Sequence, residues 1–199
     1  MWRFLIVVCS LVLAACYGTG KRGGDSALAI YDFGPPASSV ATQRSELAVE
    51  VRAPLWFDSL GIEYRLAYAE PGRLRDYTRS RWAGPPAQLV QQRLVQQLGL
   101  MPAGQGRTRC VVRIDIDEFS QIFDTPTTSH GVIKGRVQLL DRSRRSLAGY
   151  ELRIEKPAPS PDARGGVAAL TAAVDQLVAD ILAWEQRLKG GGEAAACLG

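Results

Sequence analysis

Arg109-Cys110-Val111-Val112-Arg113-Ile114-Asp115-Ile116-Asp117-Glu118-Phe119 is the stretch whose reading decides the fold. Cys110, Val112, Ile114 and Ile116 alternate with Arg113, Asp115 and Asp117, the period-two pattern of a strand with one face on a core and the other in water. Two more strands follow, Val132 to Asp141 and Leu147 to Glu155, joined into a hairpin by the turn between them. Beyond them Val167, Leu170, Val174, Leu177, Ile181, Trp184 and Leu188 recur at spacings of three and four, which predicts a helix over 167–189. Such a stripe could be a coiled-coil seam, but one helix beside a sheet more readily covers that sheet.

Upstream, Leu28 to Phe33 and Leu47 to Val51 read as short strands separated by Pro35, Pro36 and a polar stretch. In Ile62 to Ala69, the residues Ile62, Tyr64, Leu66 and Tyr68 alternate with Glu63, Arg65 and Ala67, a half-buried strand. After Pro85-Pro86, a helix over 87–98 carries Val90, Leu94 and Leu98 on one side and stops at Gly99. The pattern predicts a single α+β (or α/β) domain over 28–189, a mixed sheet of about five or six strands covered by two main helices. Residues 190–199, beginning Gly190-Gly191-Gly192, read as a flexible tail unless Cys197 pins them.

Ahead of the domain stand Met1, Trp2 and Arg3, an apolar run from Phe4 to Leu13, then Ala14 and Ala15 before Cys16. Residues 1–15 form a secretory signal peptide, with an apolar run about half of the roughly 20 residues a spanning helix needs. Leu13-Ala14-Ala15-Cys16 resembles the lipobox of bacterial lipoproteins: small residues suit the peptidase, and the thiol of Cys16 accepts diacylglycerol. Residues 16–27 are then the lipidated cysteine and a tether of Gly, Lys, Arg, Thr and Asp. Its ten residues from Tyr17 to Ser26 reach roughly 35 Å when stretched. Tyr17, not Asp, follows the cysteine, which points to the periplasmic face of the outer membrane.

Export would place the remaining thiols in an oxidising compartment. With Cys9 cleaved off and Cys16 acylated, Cys110 and Cys197 are candidates for a disulfide, and a buried free thiol at Cys110 is the rival reading. Net charge is +4, most of the 24 basic residues are arginine, and no basic run exceeds Arg144-Arg145. That dispersion argues against a nucleic-acid partner. It reads as a solvated basic surface, or as one that meets lipid phosphates or an acidic partner.

His130 is the single histidine, in a Thr/Ser-rich stretch that reads as a surface turn, so multi-histidine metal sites are excluded. Asp115 and Asp117 share a face with Arg113, and Glu118 and Asp124 lie nearby; the outer face of a sheet accounts for them without a site. No GxxxxGK[ST] loop occurs, so an ATPase of that kind is excluded. Gly165-Gly166 reads as helix punctuation. No catalytic residue, metal or cofactor is assigned.

The least ordinary local sequence is Val51-Arg52-Ala53-Pro54-Leu55-Trp56-Phe57-Asp58, then Gly61-Ile62-Glu63-Tyr64-Arg65, then Tyr77 and Arg81-Trp82-Ala83-Gly84-Pro85-Pro86. A strand ending in Tyr-Arg, followed by a Tyr, a Trp-Ala and a proline-led helix, with a lipobox before and an Ala-rich helix after, resembles the ABC-type transport auxiliary lipoproteins, the family that includes PqiC. The likeness spans Tyr31 to about Trp184; Gly84 within the Trp-Ala stretch and the loose segment 159–166 depart from it.

The resemblance implies a periplasmic α/β or α+β domain, anchored to a membrane through lipid, working beside an ABC permease, its ATPase and an MCE-type lipid-binding component. It implies cargo that is phospholipid or another hydrophobic molecule, and no chemistry in the lipoprotein itself. A ring or dimer would match the symmetry of a tunnel-shaped partner. Trp56, Phe57, Arg81, Trp82, Pro85 and Pro86 are the candidate partner-binding surface, being aromatic and arginine residues of the kind enriched at interface hot spots; the rival reading packs the aromatics between the second helix with its entry loop and the sheet, Tyr64 and Trp82 before Trp56 and Phe57. The competing reading is an envelope scaffold or regulator that contacts peptidoglycan or its synthases.

Overall fold

One strand of fourteen residues organises the protein, Cys110–Phe123. The computed structural model describes residues 27–36, 44–57, 59–105 and 107–198. The signal peptide, Cys16 and the tether up to residue 26 lie outside the described residues. In chain order the elements are β1 (Ala29–Tyr31), β2 (Arg44–Arg52), β3 (Gly61–Leu66), β4 (Glu70–Trp82), α1 (Pro86–Leu98), β5 (Leu100–Pro102), β6 (Cys110–Phe123), β7 (Ser129–Leu140), β8 (Ser146–Pro157), α2 (Ala163–Leu188) and α3 (Ala195–Leu198).

The eight strands form one mixed sheet. On one edge β6 runs antiparallel to β7 along its whole length, and β7 pairs onward with β8. Its other edge is shared by two strands placed end to end. β2 pairs in parallel with Cys110 to Asp115, and β3 in parallel with Gln121 to Phe123. The sheet therefore forks, one arm continuing from β2 to β5 and the other from β3 through β4 to β1.

A bulge makes the fork. Between Ile116 and Glu118 the register with β7 shifts by one residue, leaving Asp117 as the extra residue. Because side chains alternate, one inserted residue exchanges the faces. The inward set is Cys110, Val112, Ile114 and Ile116 before the bulge and Phe119 and Phe123 after it. This is why the strand continues past Phe119, where the apolar alternation counted from Cys110 ends.

Gly135 of β7 faces the bulge at φ +155°, and a methyl group there would overlap the Asp115 carbonyl oxygen. Only glycine lets the two backbones approach so closely.

α1 and α2 cover one face of this sheet. Pro86 occupies the first turn of α1, where its missing N–H costs nothing, and Gly99 closes the helix in the left-handed conformation. Asp162 caps α2, its Oδ1 accepting from the Gly165 N–H at 2.8 Å. Val167, Leu170, Val174, Leu177, Ile181 and Trp184 of α2 all enter the core. The helix is long and apolar enough to cross a membrane by composition, but its stripe is spent on the sheet.

Gly165 and Gly166, which read as punctuation, lie inside the first turn of α2. A side chain at Gly165 would run into the Ser160 carbonyl, so the tight approach of segment 159–162 selects glycine there.

The tail is docked through Cys197, the condition under which residues 190–199 were not expected to be free. Cys197 and Cys110 form a disulfide, Ala194 and Leu198 are buried, and Glu193 accepts from Arg145 Nη2 at 2.7 Å. The bridge closes 87 residues of sequence, for which loop entropy predicts a contribution of about 4 kcal/mol.

Replacing Gly135 with Ala should destabilise the domain by ~3 kcal/mol or more, because the β6–β7 ladder must open to admit the methyl group. Urea unfolding followed by circular dichroism checks this, and an unchanged midpoint would contradict the role given to the bulge.

Candidate functional site

The segment bridging the fork, 53–60, crosses from the end of β2 to the start of β3. Pro54 and Phe57 close a β-turn in it, the Phe57 N–H donating to the Pro54 carbonyl at 2.8 Å. Phe57 points inward, is 1% exposed and joins the main core. The two corner residues face outward, Leu55 at 87% and Trp56 at 66% exposure.

β4 runs beside this segment. The Trp82 N–H donates to the Leu60 carbonyl at 2.8 Å, and the Ala83 N–H to the Tyr31 carbonyl at 2.7 Å. Trp82 is 1% exposed and meets Phe33 edge-on at 5.4 Å between ring centroids and Phe119 at 5.9 Å. The alternation along β4 places Arg81 on the opposite, exposed face, where it neighbours Ile30 of β1 and Gly61 of β3. Pro85 is half-buried and Pro86 buried at the start of α1.

The six residues expected to form one surface thus divide. Trp56 and Arg81 are exposed and Pro85 half-buried, whereas Phe57 and Trp82 belong to the core, as the rival packing reading had it, and Pro86 is buried at the helix start, which takes these three out of the candidate surface. Consecutive residues in a turn or strand face opposite ways, so an aromatic pair such as Trp56-Phe57 contributes one ring outward and one inward. Leu55 and the exposed Leu60 and Ile30 join the outward set. The legible signal for Leu55 was its place after Pro54 in a turn.

Tyr64 and Tyr77 pack against each other at 4.7 Å between centroids. The Tyr77 hydroxyl donates to Gln121 Oε1 at 2.8 Å, and Gln121 Nε2 donates to Ser129 Oγ at 2.7 Å. This chain satisfies the polar groups where β6 turns past its bulge.

Two carboxylates show opposite electrostatics. Glu50 is pushed up by burial, but Arg52, Arg144 and Arg113 all donate to it and together bring it down to about 2. Glu63 of β3 is buried, lies across from Asp76 of β4, and is pushed up to about 7 by burial and by the charge of Glu118. Ser59 Oγ lies 3.5 Å from its Oε1, and its Oε2 has no hydrogen-bond partner.

His130 falls in β7 rather than in the preceding turn, its Nδ1 2.9 Å from Asp124 Oδ2. Glu118 is held by Arg65 at 3.0 Å and by Ser120, while Asp117 is the exposed bulge residue. Among the described residues no three His, Cys, Asp or Glu side chains converge to hold a metal. A hollow of about 470 Å³ beside the disulfide is lined by the charged Arg109, Asp141, Arg142, Arg145 and Glu193 together with Leu147, Ala196 and the two cysteines.

A forked mixed sheet under two helices, with an outward apolar turn between its two arms, defines a small α+β domain. The chain belongs to the ABC-type transport auxiliary lipoprotein components, whose family model matches residues 31–182. Among solved structures it is similar to protein XCC0632 from Xanthomonas campestris, with 22% identity, 78% of this chain and 93% of that chain covered, and a TM-score of 0.65. A second crystal structure, of an uncharacterized protein, has 17% identity over 79% of this chain and 98% of its own, with a TM-score of 0.60. Both likenesses concern the fold. No curated protein matches the chain.

The folded state favours protonated Glu63, so this group's stabilising contribution is full below pH 4.5 and is lost as pH rises to about 7, by up to ~3 kcal/mol. Glu63→Gln should flatten that fall and leave the variant more stable than the parent above pH 7. Denaturant midpoints measured from pH 4 to 8 check it, and parallel curves for the two proteins would refute it.

Proposed function

We propose that the protein is a non-enzymatic accessory of an ABC-type transport system in the cell envelope, one that moves lipid or another hydrophobic compound through an MCE-type component. The observation that carries this reading is the family match, which spans nearly all of the folded domain.

The lipobox at Leu13 to Cys16 supplies the other half. Lipidation of Cys16 would hold the domain at the periplasmic face of the outer membrane, since several acyl chains bind far more firmly than the marginal grip of one. In this reading energy comes from the ATPase and the passage from the permease and MCE components. The lipoprotein contributes position.

The forked sheet suits such a role. Its polar groups are largely paired with one another, as at Glu50, Glu118 and Gln121, and its helices are committed to the core. A pre-organised domain of this kind binds a partner with little ordering cost.

Crosslinking in living cells followed by mass spectrometry of the captured proteins should recover permease or MCE components. Recovery of peptidoglycan synthases alone would overturn the transport reading in favour of an envelope scaffold. Metabolic labelling with an alkyne fatty acid should tag the wild-type protein and leave Cys16→Ala untagged, whereas equal labelling of both would place the acylation elsewhere.

A further inference from the structure

The turn Pro54 to Phe57 is unusual in what it exposes. Corner positions of β-turns favour Gly, Asn, Asp and Ser, or Pro at the first, because such residues suit the backbone and the solvent. Here the corners are Leu55 and Trp56, both outward. Neither contributes to the core, which the turn serves through Phe57 alone. Phe57 and the Phe57 to Pro54 hydrogen bond fix the turn from below, so the two apolar side chains are held out on a rigid base.

Their surroundings extend the same character. Leu60 follows on the same segment, and the sheet register sets Ile30, 57% exposed, directly beside Arg81. Arg81 is exposed and has no carboxylate partner among the described residues. An exposed apolar turn with an indole, on a segment that runs on to Leu60 and so to the strands carrying Ile30 and Arg81, has the composition of an interfacial membrane contact. The indole sits at headgroup depth, leucine enters the acyl boundary, and arginine meets phosphate.

The place of this patch in the chain identifies the occupant. β1 is three residues long and pairs with β4 from Ser80 to Trp82, so the N-terminal strand of the domain lies against the strand that carries Arg81 and borders Leu60. From Cys16 to Ala27 the chain has eleven steps, a reach of at most ~40 Å. An anchor at Cys16 thus holds this arm of the fork within ~40 Å of the bilayer, which raises the effective concentration of the surface for a weak contact.

We infer that the Leu55–Trp56 turn, with Ile30, Leu60 and Arg81, is a second membrane contact, seated in the headgroup interface of the bilayer that holds the Cys16 lipid. It orients the domain on its tether, so that the opposite arm and the helices face away from the membrane toward the rest of the transport assembly. The inference rests on the lipid anchor proposed above.

The test uses the acylated protein reconstituted into vesicles of phosphatidylethanolamine and phosphatidylglycerol with brominated acyl chains, which quench indoles at the interface. The mature chain retains Trp56, Trp82 and Trp184, of which Trp82 and Trp184 are buried. Emission should fall in brominated relative to plain vesicles, Trp56→Phe should abolish the fall, and Leu55→Glu should reduce it severalfold while leaving the protein bound. Flotation of the vesicles reports the anchor separately. Protein that floats without quenching overturns the membrane contact and leaves the anchor standing, as does quenching that survives in Trp56→Phe. Protein that fails to float overturns both.

Discussion

The structure depends on the double use of one edge of β6. A strand normally offers each edge to a single neighbour, and β6 offers one edge to β2 and β3 in succession. That arrangement requires a change of face at the middle of the strand, which the bulge at Asp117 supplies, and a close-approaching partner, which Gly135 permits. It also leaves a gap where β2 has ended and β3 has not begun. Phe57 of the crossing segment joins the main core, and Trp82, Phe33 and Phe119 pack together as an aromatic cluster in the same core. Without the bulge the residues after Ile116 would send Phe119 and Phe123 to water, and the second arm would have no core to join.

Electrostatics on this frame follow from the same geometry. The basic composition suggested a surface open to anions, yet many arginines are paired with carboxylates of the domain itself. Arg113, Arg52 and Arg144 converge on Glu50, Arg65 binds Glu118 next to the bulge, and Arg44 ties the start of β2 to Glu185 at the end of α2 at 2.8 Å. Arg93 is buried beneath the segment after β1, donating to the Phe33 and Gly34 carbonyls, and it lies 5.9 Å from the Phe33 ring. Net charge is therefore a poor guide to what the surface attracts. An arginine without a carboxylate, such as Arg81, says more than the total.

Most of the elements with strong periodicity were legible in the residues. The α2 stripe, the β7–β8 hairpin and the first half of β6 lie where alternation or helical spacing placed them, and so does α1 between Pro86 and Gly99. β4 was not legible. Its thirteen residues, Glu70 to Trp82, carry five arginine or acidic positions between Glu70 and Arg79 and only Leu74, Tyr77 and Trp82 as large apolar ones, so no period-two pattern survives. Its strand conformation comes from pairing with β3 on one side and β1 on the other. β5 is too short to signal itself. The bulge was hidden as well, because an inserted residue looks like the end of an alternation until the partner strand is known. For the candidate surface, the sequence left open which aromatics are buried, since Trp56 and Phe57 are chemically alike and only the turn decides which of them the core takes.

The two ends of the domain are treated differently, and this bears on what it can do. At the C-terminus the disulfide, Ala194 and Leu198 seat residues 194–198 against the start of β6. At the N-terminus β1 contributes three residues to a sheet edge and keeps Leu28 and Ile30 outside. If Cys16 carries the proposed lipid, the eleven steps from there to Ala27 set only a maximum distance from the membrane and no orientation. An accessory protein that must meet a transporter at a defined face needs orientation too, and one fixed point cannot provide it. In the proposed arrangement the turn at Leu55 and Trp56 would give the domain a second point, and two points on one folded body restrict which face the remaining surface presents.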